Sequence, residues 1–208
     1  MKYHIEKNTV QETLVIPLYG RKMCSELYPN LYRDETALRL IDQIDYDFSL
    51  LSQKSKSLMQ QFGFLEAAMR QNDLAWEVRD YLREHPNAAV VNLGCGLDDT
   101  GRSCDNGSCR IYNLDFPGVI AVRLMLKTWI KTAEIQDVGA YFAVSDAKKE
   151  LSAWSPRLRA SSRGYMLGYQ SLNDPSVPGF YRFLARVGDG MMRMQIVRLE
   201  FAEGETTL

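Results

Sequence analysis

Two glycines and one aspartate have the types and the spacing of a nucleotide-binding site. Gly94 and Gly96 follow a short apolar run, and Asp115 lies 21 positions after Gly94, at the end of the next apolar run. Glycine lets the backbone turn sharply and approach a ligand closely, because no side chain stands in the way. A carboxylate at the end of the adjacent parallel strand can accept hydrogen bonds from both hydroxyls of a ribose. The spacing therefore predicts that these residues converge on one ribose.

The residues after the glycines limit which ligand this site can hold. The sequence continues with Leu97, Asp98 and Asp99, whereas a dinucleotide site has a third glycine that opens a helix toward the pyrophosphate. Two carboxylates at this place would repel a phosphate. S-adenosylmethionine carries no phosphate and has a cationic sulfonium and ammonium, so it suits acidic residues better. Two other interpretations stay open: a nicotinamide-type Rossmann oxidoreductase, which the acidic pair disfavours, and a tight turn with solvated aspartates and no ligand.

Two segments at this site carry a resemblance to a known family. Residues 90–98, VVNLGCGLD, and residues 112–117, YNLDFP, strongly resemble the leucine carboxyl methyltransferase family, especially its bacterial branch, which includes tetracenomycin polyketide O-methyltransferases. Residues 55–82 resemble the helical N-terminal region of that family, and the sequences FYRFLARV and MQIVRLEF resemble its closing segment. The resemblance implies a Rossmann-like class I methyltransferase sheet, S-adenosylmethionine as the cofactor, and methyl transfer to a hydroxyl or carboxylate of a small molecule.

The resemblance also implies roles for five residues. Gly94 and Gly96 would line the cofactor, and Asp115 would hold its ribose. Arg70 matches the arginine that binds the methionine carboxylate in the family. Asp98 belongs to the GLD motif and would lie near the ammonium group of the cofactor.

Two of these residues have other interpretations. Arg70 lies on a polar helical stripe, where ordinary surface pairs with Glu66 and Asp73 would explain it. Asp98 could instead cap the helix that follows the glycine turn. The sequence leaves both pairs of alternatives open.

The chain departs from the family after Asp115. In the family several βα units follow, whereas here residues 119–123 run directly into residues 124–127, so a central block is missing. Only 93 residues, from 116 to 208, follow Asp115, and a βαβ unit takes about 30 or more. The shortened sheet would expose edges, which the strands near Val138 and Met194 or a second subunit of a homodimer must cover. The missing block also motivates an alternative function: a degenerate methyltransferase-like protein that keeps the fold or the cofactor site without turnover.

Hydrophobic periodicity indicates the elements that position the site. Residues 12–84 are mostly helical, with Asp34 as a cap and a second helix that begins near Ser57 and stops at His85-Pro86. Buried strands follow at the apolar runs 88–91 and 109–114. The remaining predicted elements are a helix from Gly118 to Thr132, a strand from Val138 to Val144, a helix from Asp146 to Trp154 opened by Ser145, and a strand from Met194 to Phe201.

These elements predict one domain of class α/β, covering residues 1–208. A helical N-terminal layer, residues 1–86, docks on a shortened α/β core, residues 87–208. The glycines and Asp115 belong to the core, and Arg70 belongs to the helical layer.

The composition disfavours several classes of partner. Lys and Arg number 25 and Asp and Glu number 26, for a net charge of −1, so the chain lacks the basic surface that nucleic acid or anionic lipid needs. No stretch approaches the roughly 20 apolar residues that span a bilayer, and we expect a cytoplasmic protein with reduced cysteines. No metal site is expected, because Cys95, Cys104 and Cys109 lack a CxxC pair and both histidines lie outside this set. No catalytic base is assigned.

Overall fold

A computed structural model of the protein describes residues 2–126, 132–134, 146–166, 172–192 and 195–201. The chain divides into two compact units. One unit comprises Met1–Val138 with Asp174–Val177, and the other comprises Gly139–Asn173 with Pro178–Leu208. The helical layer and the glycine segment predicted above both belong to the first unit.

The helices that precede the glycine segment form where periodicity predicts them. The carboxylate of Asp34 accepts a hydrogen bond from the backbone N–H of Ala37 at 2.8 Å, and the hydroxyl of Ser57 accepts one from Gln60 at 3.2 Å. Each bond satisfies a backbone donor that a helix start leaves without an intrahelical partner. The predicted cap at Asp34, the predicted helix start near Ser57 and the predicted stop at His85 are confirmed. The helices are α1 (Val10–Thr13), α2 (Val15–Leu27), α3 (Glu35–Ile41), α4 (Ser49–Lys54) and α5 (Leu58–Glu84).

Short parallel strands accompany these helices. β1 (Tyr3–His4) pairs with β2 (Ile44–Asp45), and β3 (Ala89–Leu93), β4 (Arg110–Asp115) and β5 (Thr132–Glu134) form a second sheet in that order. The register of β3 and β4 pairs Leu93 with Leu114. Because the two strands end at the same edge of the sheet, the glycine turn after β3 lies next to Asp115. A short helix, α6 (Thr100–Cys104), lies between these strands in the chain, and α7 (Pro117–Met125) follows β4.

The buried apolar side chains of the first unit fix the helices and the strands that carry the site. Leu18 of α2, Leu40 of α3 and Leu65 of α5 are completely buried. A second cluster, formed by Leu82 and Ile111 with Cys109, packs the end of α5 against the start of β4. Each fully buried leucine or isoleucine contributes about 1.5–3 kcal/mol relative to an exposed one. The glycine turn is therefore positioned by a packed scaffold.

Gly20 marks the closest approach of α2 and α5. A Cβ atom added there would lie 2.8 Å from Cδ1 of the buried Phe64. We expect G20A to destabilise the protein by about 1–3 kcal/mol, since the ring has to shift within a packed core. The matched control is G63A, because Gly63 lies one residue from Phe64 on the same helix with nothing within 4 Å of the added atom. There we expect stabilisation of up to about 1 kcal/mol from the higher helix propensity of alanine. Urea unfolding measures both, and equal effects at the two positions would contradict this packing.

The helix predicted from Gly118 to Thr132 is wrong at its carboxyl end. The helix begins at Pro117 and ends at Met125, and Thr132 is the first residue of β5. Thr132 pairs with Asn113 of β4. The free edge of β4 offers backbone donors and acceptors, and the β-branched Thr132 favours a strand. Thr132 therefore belongs to β5 and not to α7.

The second unit contains helix α8 (Ala147–Ser152), strand β6 (Leu158–Gly164), helix α9 (Gly179–Met192) and strand β7 (Gln195–Phe201). The carboxylate of Asp146 caps α8 by accepting a hydrogen bond from Lys149 N at 3.0 Å, so Asp146 is the cap rather than a residue of the helix. The terminal strand is confirmed from Gln195, but it pairs antiparallel with β6 and does not extend the parallel sheet as expected. The predicted strand from Val138 to Val144, together with Ser145 and Met194, lies outside the described residues.

Candidate functional site

The turn after β3 has the conformation that its glycines predict. Gly94 and Gly96 have φ values of +64° and +49°, in the left-handed region where a side chain is strained. The N–H groups of Gly94 and Cys95 both donate to the carbonyl of Leu114 on β4, at 2.8 and 3.2 Å. The turn is thereby attached to the end of the neighbouring strand.

Asp115 lies directly against this turn. One of its carboxylate oxygens, Oδ2, accepts a hydrogen bond from the N–H of Gly96 at 2.7 Å, and Oδ1 accepts one from Phe116 N at 2.8 Å. The glycine turn and the acid are therefore in direct contact, and their convergence on a ribose stays a prediction. Each carboxylate oxygen can accept more than one hydrogen bond, so both keep capacity for a further donor.

A cavity of about 520 Å³ opens over the turn. Its size lies within the range of about 300–1,000 Å³ that is common for small-molecule sites. The lining combines an apolar wall with convergent polar groups. All five residues proposed from the sequence, Arg70, Gly94, Gly96, Asp98 and Asp115, belong to this lining.

The apolar wall of the cavity comes largely from the helical layer. Val10 of α1, Leu14 before α2, Pro17 of α2 and Leu74 of α5 contribute to it. A Cβ atom added at Gly96 would lie 3.6 Å from Cδ2 of Leu14, so the layer is in contact with the turn itself. The helical layer therefore closes one side of the cavity.

Asp98 contributes a second carboxylate to the cavity, and it is half-buried. Its Oδ1 accepts hydrogen bonds from Asn92 Nδ2 at 3.0 Å and from Thr100 N at 3.3 Å. Burial raises the pKa of Asp98, while the nearby guanidinium groups of Arg21 and Arg123 act to lower it. The bond to Thr100 N lies at the start of α6, so Asp98 reaches the helix start and lines the cavity at once. The N-cap residue of α6 is Asp99, so the predicted cap at Asp98 is wrong by one position, although Asp98 binds the first N–H of the helix. Its place near the ammonium of a cofactor stays a prediction.

The stripe that contains Arg70 is not a solvated surface. Glu66 and Asp73 are buried, with 6% and 2% of their surfaces exposed. Arg70 is half-buried and lines the cavity. The interpretation of this stripe as ordinary exposed ion pairs is therefore wrong, because periodicity shows which residues share a helix face but not what covers that face.

Two buried arginines that the sequence reasoning missed bind the carbonyl groups of the turn, and one of them, Arg21, also lines the cavity. Arg21 of α2 donates from Nη2 to the carbonyl of Leu97 at 3.0 Å. Arg123 of α7 donates from Nη1 to the carbonyls of Gly96 and Asp98, at 2.7 and 2.9 Å. The one sequence signal for Arg123 is its place inside the apolar run of α7, beside the buried Val122. Three successive carbonyls of the turn are thereby engaged by guanidinium groups.

Other kinds of site find little support in the described part of the chain. There, no group of three or more His, Cys, Asp or Glu side chains has the arrangement of a metal site. The cysteines Cys24, Cys95, Cys104 and Cys109 are buried and have free thiols. None of the described helices has the length and apolar character needed to cross a membrane.

Comparison with known proteins adds one partial match. Over 118 residues, or 56% of this chain, the sequence is 32% identical to the tetracenomycin polyketide synthesis O-methyltransferase TcmP of Streptomyces glaucescens. The match covers 42% of that protein, so the chain spans less than half the length of this curated relative. No protein-family profile and no solved structure matches the chain. The matched part of the chain is therefore related in sequence to a methyltransferase.

Proposed function

We propose that this protein is an S-adenosylmethionine-dependent O-methyltransferase of the leucine carboxyl methyltransferase family, built on a shortened Rossmann-like sheet. The observation that carries the proposal is the hydrogen bond between Gly96 N and Asp115 at the floor of the cavity. The parallel order of β3, β4 and β5 and the partial similarity to TcmP support the same function. The acceptor would be a small molecule that carries a hydroxyl or a carboxylate.

The donor set of the cavity fits this cofactor. Asp115 can accept hydrogen bonds from the ribose hydroxyls, as an acid at the end of this strand does in nucleotide sites. Asp98 would hold the ammonium of the methionine part, and Arg70 would hold its carboxylate. Gly94 and Gly96 would let the adenosine approach the backbone. Of the two carboxylates that disfavour a pyrophosphate, Asp98 lines the cavity and would repel it, whereas Asp99 accepts a hydrogen bond from the hydroxyl of Thr36 and does not belong to the lining.

The chain's own contribution to the reaction is to orient the cofactor and exclude water. S-adenosylmethionine, when bound, supplies a methyl group on a sulfonium that already contains the leaving group. Holding this group in line with the acceptor oxygen can supply much of the rate increase. The apolar wall, which includes Leu14, Pro17 and Leu74, keeps water from that region.

One side chain of the cavity lining, the thiol of Cys95, could be considered as a proton acceptor. Burial raises the pKa of Cys95 to about 11, so this thiol is not a base near neutral pH. A carboxylate acceptor, with a pKa of roughly 4, arrives ionised and needs no base, whereas a hydroxyl usually does. We therefore place no proton-accepting role on Cys95.

The test of this proposal compares ligands by thermal shift and isothermal calorimetry. We expect S-adenosylmethionine and S-adenosylhomocysteine to raise the melting temperature and to bind with a stoichiometry of about one per chain. NAD is the control ligand, because an oxidoreductase would bind it in place of S-adenosylmethionine. Stabilisation by NAD alone, or no binding of S-adenosylmethionine at millimolar concentration, would refute the proposal.

A second candidate is a degenerate relative that binds the cofactor without turnover. It is favoured by the limited coverage, since the match spans only 42% of TcmP. Incubation with methyl-labelled S-adenosylmethionine and a panel of small hydroxyl and carboxylate compounds distinguishes the two candidates. Labelled product with any acceptor rules out the degenerate relative, while cofactor binding with no product from the whole panel supports it.

A further inference from the structure

Arg123 is among the largest fully buried side chains of the protein, with 1% of its surface exposed. It lies on α7 near Val119 and Val122, which are also fully buried. Removing a guanidinium from water is unfavourable unless hydrogen bonds compensate for its lost hydration. The carbonyls of Gly96 and Asp98 provide that compensation through Nη1. The position of Arg123 is therefore tied to the shape of the glycine turn.

The carbonyl groups and the N–H group of the turn have different partners. Its carbonyls at Gly96 and Asp98 accept hydrogen bonds from Arg123, and the carbonyl of Leu97 accepts one from Arg21. The N–H of Gly96 donates instead to Asp115 in the cavity. Fixing the carbonyls fixes the peptide planes, since each plane is rigid. The Gly96 N–H lies in the plane of the preceding peptide, whose Cys95 carbonyl accepts a hydrogen bond from Asp98 N at 3.0 Å. Because the Asp98 N–H shares its plane with the Leu97 carbonyl that Arg21 binds, and the Gly96 carbonyl that Arg123 binds begins the next plane, the direction of the Gly96 N–H toward Asp115 depends on the arginines through these neighbouring planes.

We propose that Arg123 is a positioning residue for the cofactor site, which fixes the turn at residues 96–98 through the carbonyls of Gly96 and Asp98 without itself lining the cavity. This inference rests on the proposed function for its link to S-adenosylmethionine. Arg123 fixes the turn in the ligand-free protein as well, whatever ligand the cavity binds. The two parts can therefore be tested separately.

Arg123 also acts on Asp98 through its charge. The charged and titratable groups around Asp98 in the described part of the chain include Arg21 of α2, Arg70 of α5, Cys95 of the turn, Cys104 of α6, Asp115 of β4 and Arg123 of α7. Burial raises the pKa of Asp98, and the charges of Arg21 and Arg123 oppose that rise. Without the charge of Arg123, Asp98 would become protonated at a higher pH. Its hold on the cofactor ammonium would then be lost earlier as the pH falls.

The experiment compares R123M and R123K with the wild type, and uses R110M as a matched control, because Arg110 is exposed at the start of β4. Amide hydrogen exchange is followed by NMR in the ligand-free protein at Gly96 and at the core residue Ile111. We expect R123M to accelerate exchange at Gly96 by about tenfold or more, the scale of one lost charge-assisted hydrogen bond, with Ile111 unchanged. R123K should accelerate it less, and R110M should have no effect.

Binding of S-adenosylhomocysteine is then measured by calorimetry from pH 5 to 8. R123M should bind about tenfold more weakly at pH 7 and lose affinity at a higher pH than the wild type. R123K should keep the wild-type pH dependence, because it keeps the charge. An unchanged pH profile in R123M would contradict the role of the charge.

Two results would contradict the proposal that Arg123 fixes the turn. Equal exchange at Gly96 in R123M and wild type would do so, as would equal acceleration at Gly96 and Ile111, which is the result of a general loss of stability. If R123M does not fold, the same comparison in R123K decides. If the wild type does not bind S-adenosylhomocysteine while R123M selectively accelerates exchange at Gly96, the proposed function fails and the holding of the turn stands.

Discussion

D115A is expected to weaken the binding of S-adenosylmethionine by about 100-fold or more. The variant removes the carboxylate that would accept both ribose hydroxyls, and hydrogen bonds to a charged group contribute about 1.5–3 kcal/mol each. It also leaves the N–H groups of Gly96 and Phe116 without their present acceptor. Calorimetry with the wild type and the variant measures the loss directly.

D42A is the control for D115A, because Asp42 is an exposed aspartate that does not line the cavity. D115N tests charge separately from size, and we expect it to bind more tightly than D115A and more weakly than the wild type. Circular dichroism establishes that each variant is folded. Affinity of D115A within about threefold of the wild type would show that Asp115 does not hold the ribose.

R21M is expected to lower the free energy of unfolding by about 3–5 kcal/mol, the range for breaking a buried ion pair from one side. Arg21 and Asp34 form such a pair at 2.9 Å, and each side chain is only 7% exposed. The variant leaves the carboxylate of Asp34 buried without its cation, although this group still caps α3 through Ala37. It also removes the donor to the carbonyl of Leu97. Urea unfolding measures the change.

The exposed pair Arg33 and Glu35 serves as the comparison for R21M. Its side chains are 59% and 70% exposed, so R33M should change the stability by no more than about 1 kcal/mol. The double variant R21M/D34N should recover part of the free energy of unfolding that R21M loses, because it also removes the charge of Asp34, which R21M leaves buried without its cation. An effect of R21M as small as that of R33M would mean that the buried pair contributes nothing to the fold.

The half of the site that depends on local pattern could be predicted from the sequence. An apolar run that ends at Gly94 and a second run that ends at Asp115 describe two short strands with a turn between them. Neighbouring parallel strands end at the same edge of a sheet. The contact of Gly96 with Asp115 therefore follows from the order of residues, and so does the cap at Asp34, whose hydrogen bond reaches only three residues along the chain.

The other half depends on contacts between distant segments. Arg21 and Arg123 reach the turn from separate helices, and an arginine on a helix is usually exposed. The burial of Asp73 and the end of α7 have the same origin. Packing against other segments buries Asp73, and pairing with the edge of β4 places Thr132 in a strand. Periodicity describes one element at a time and carries no information about which elements meet.

The most direct measurement is a crystal structure of the protein soaked with S-adenosylhomocysteine. We expect both ribose hydroxyls to lie within hydrogen-bond distance of the Asp115 carboxylate. The adenosine should lie against Gly94 and Gly96, and the amino group of the ligand should lie beside Asp98. Ligand density elsewhere on the protein, or a ribose that makes no contact with Asp115, would contradict this expectation.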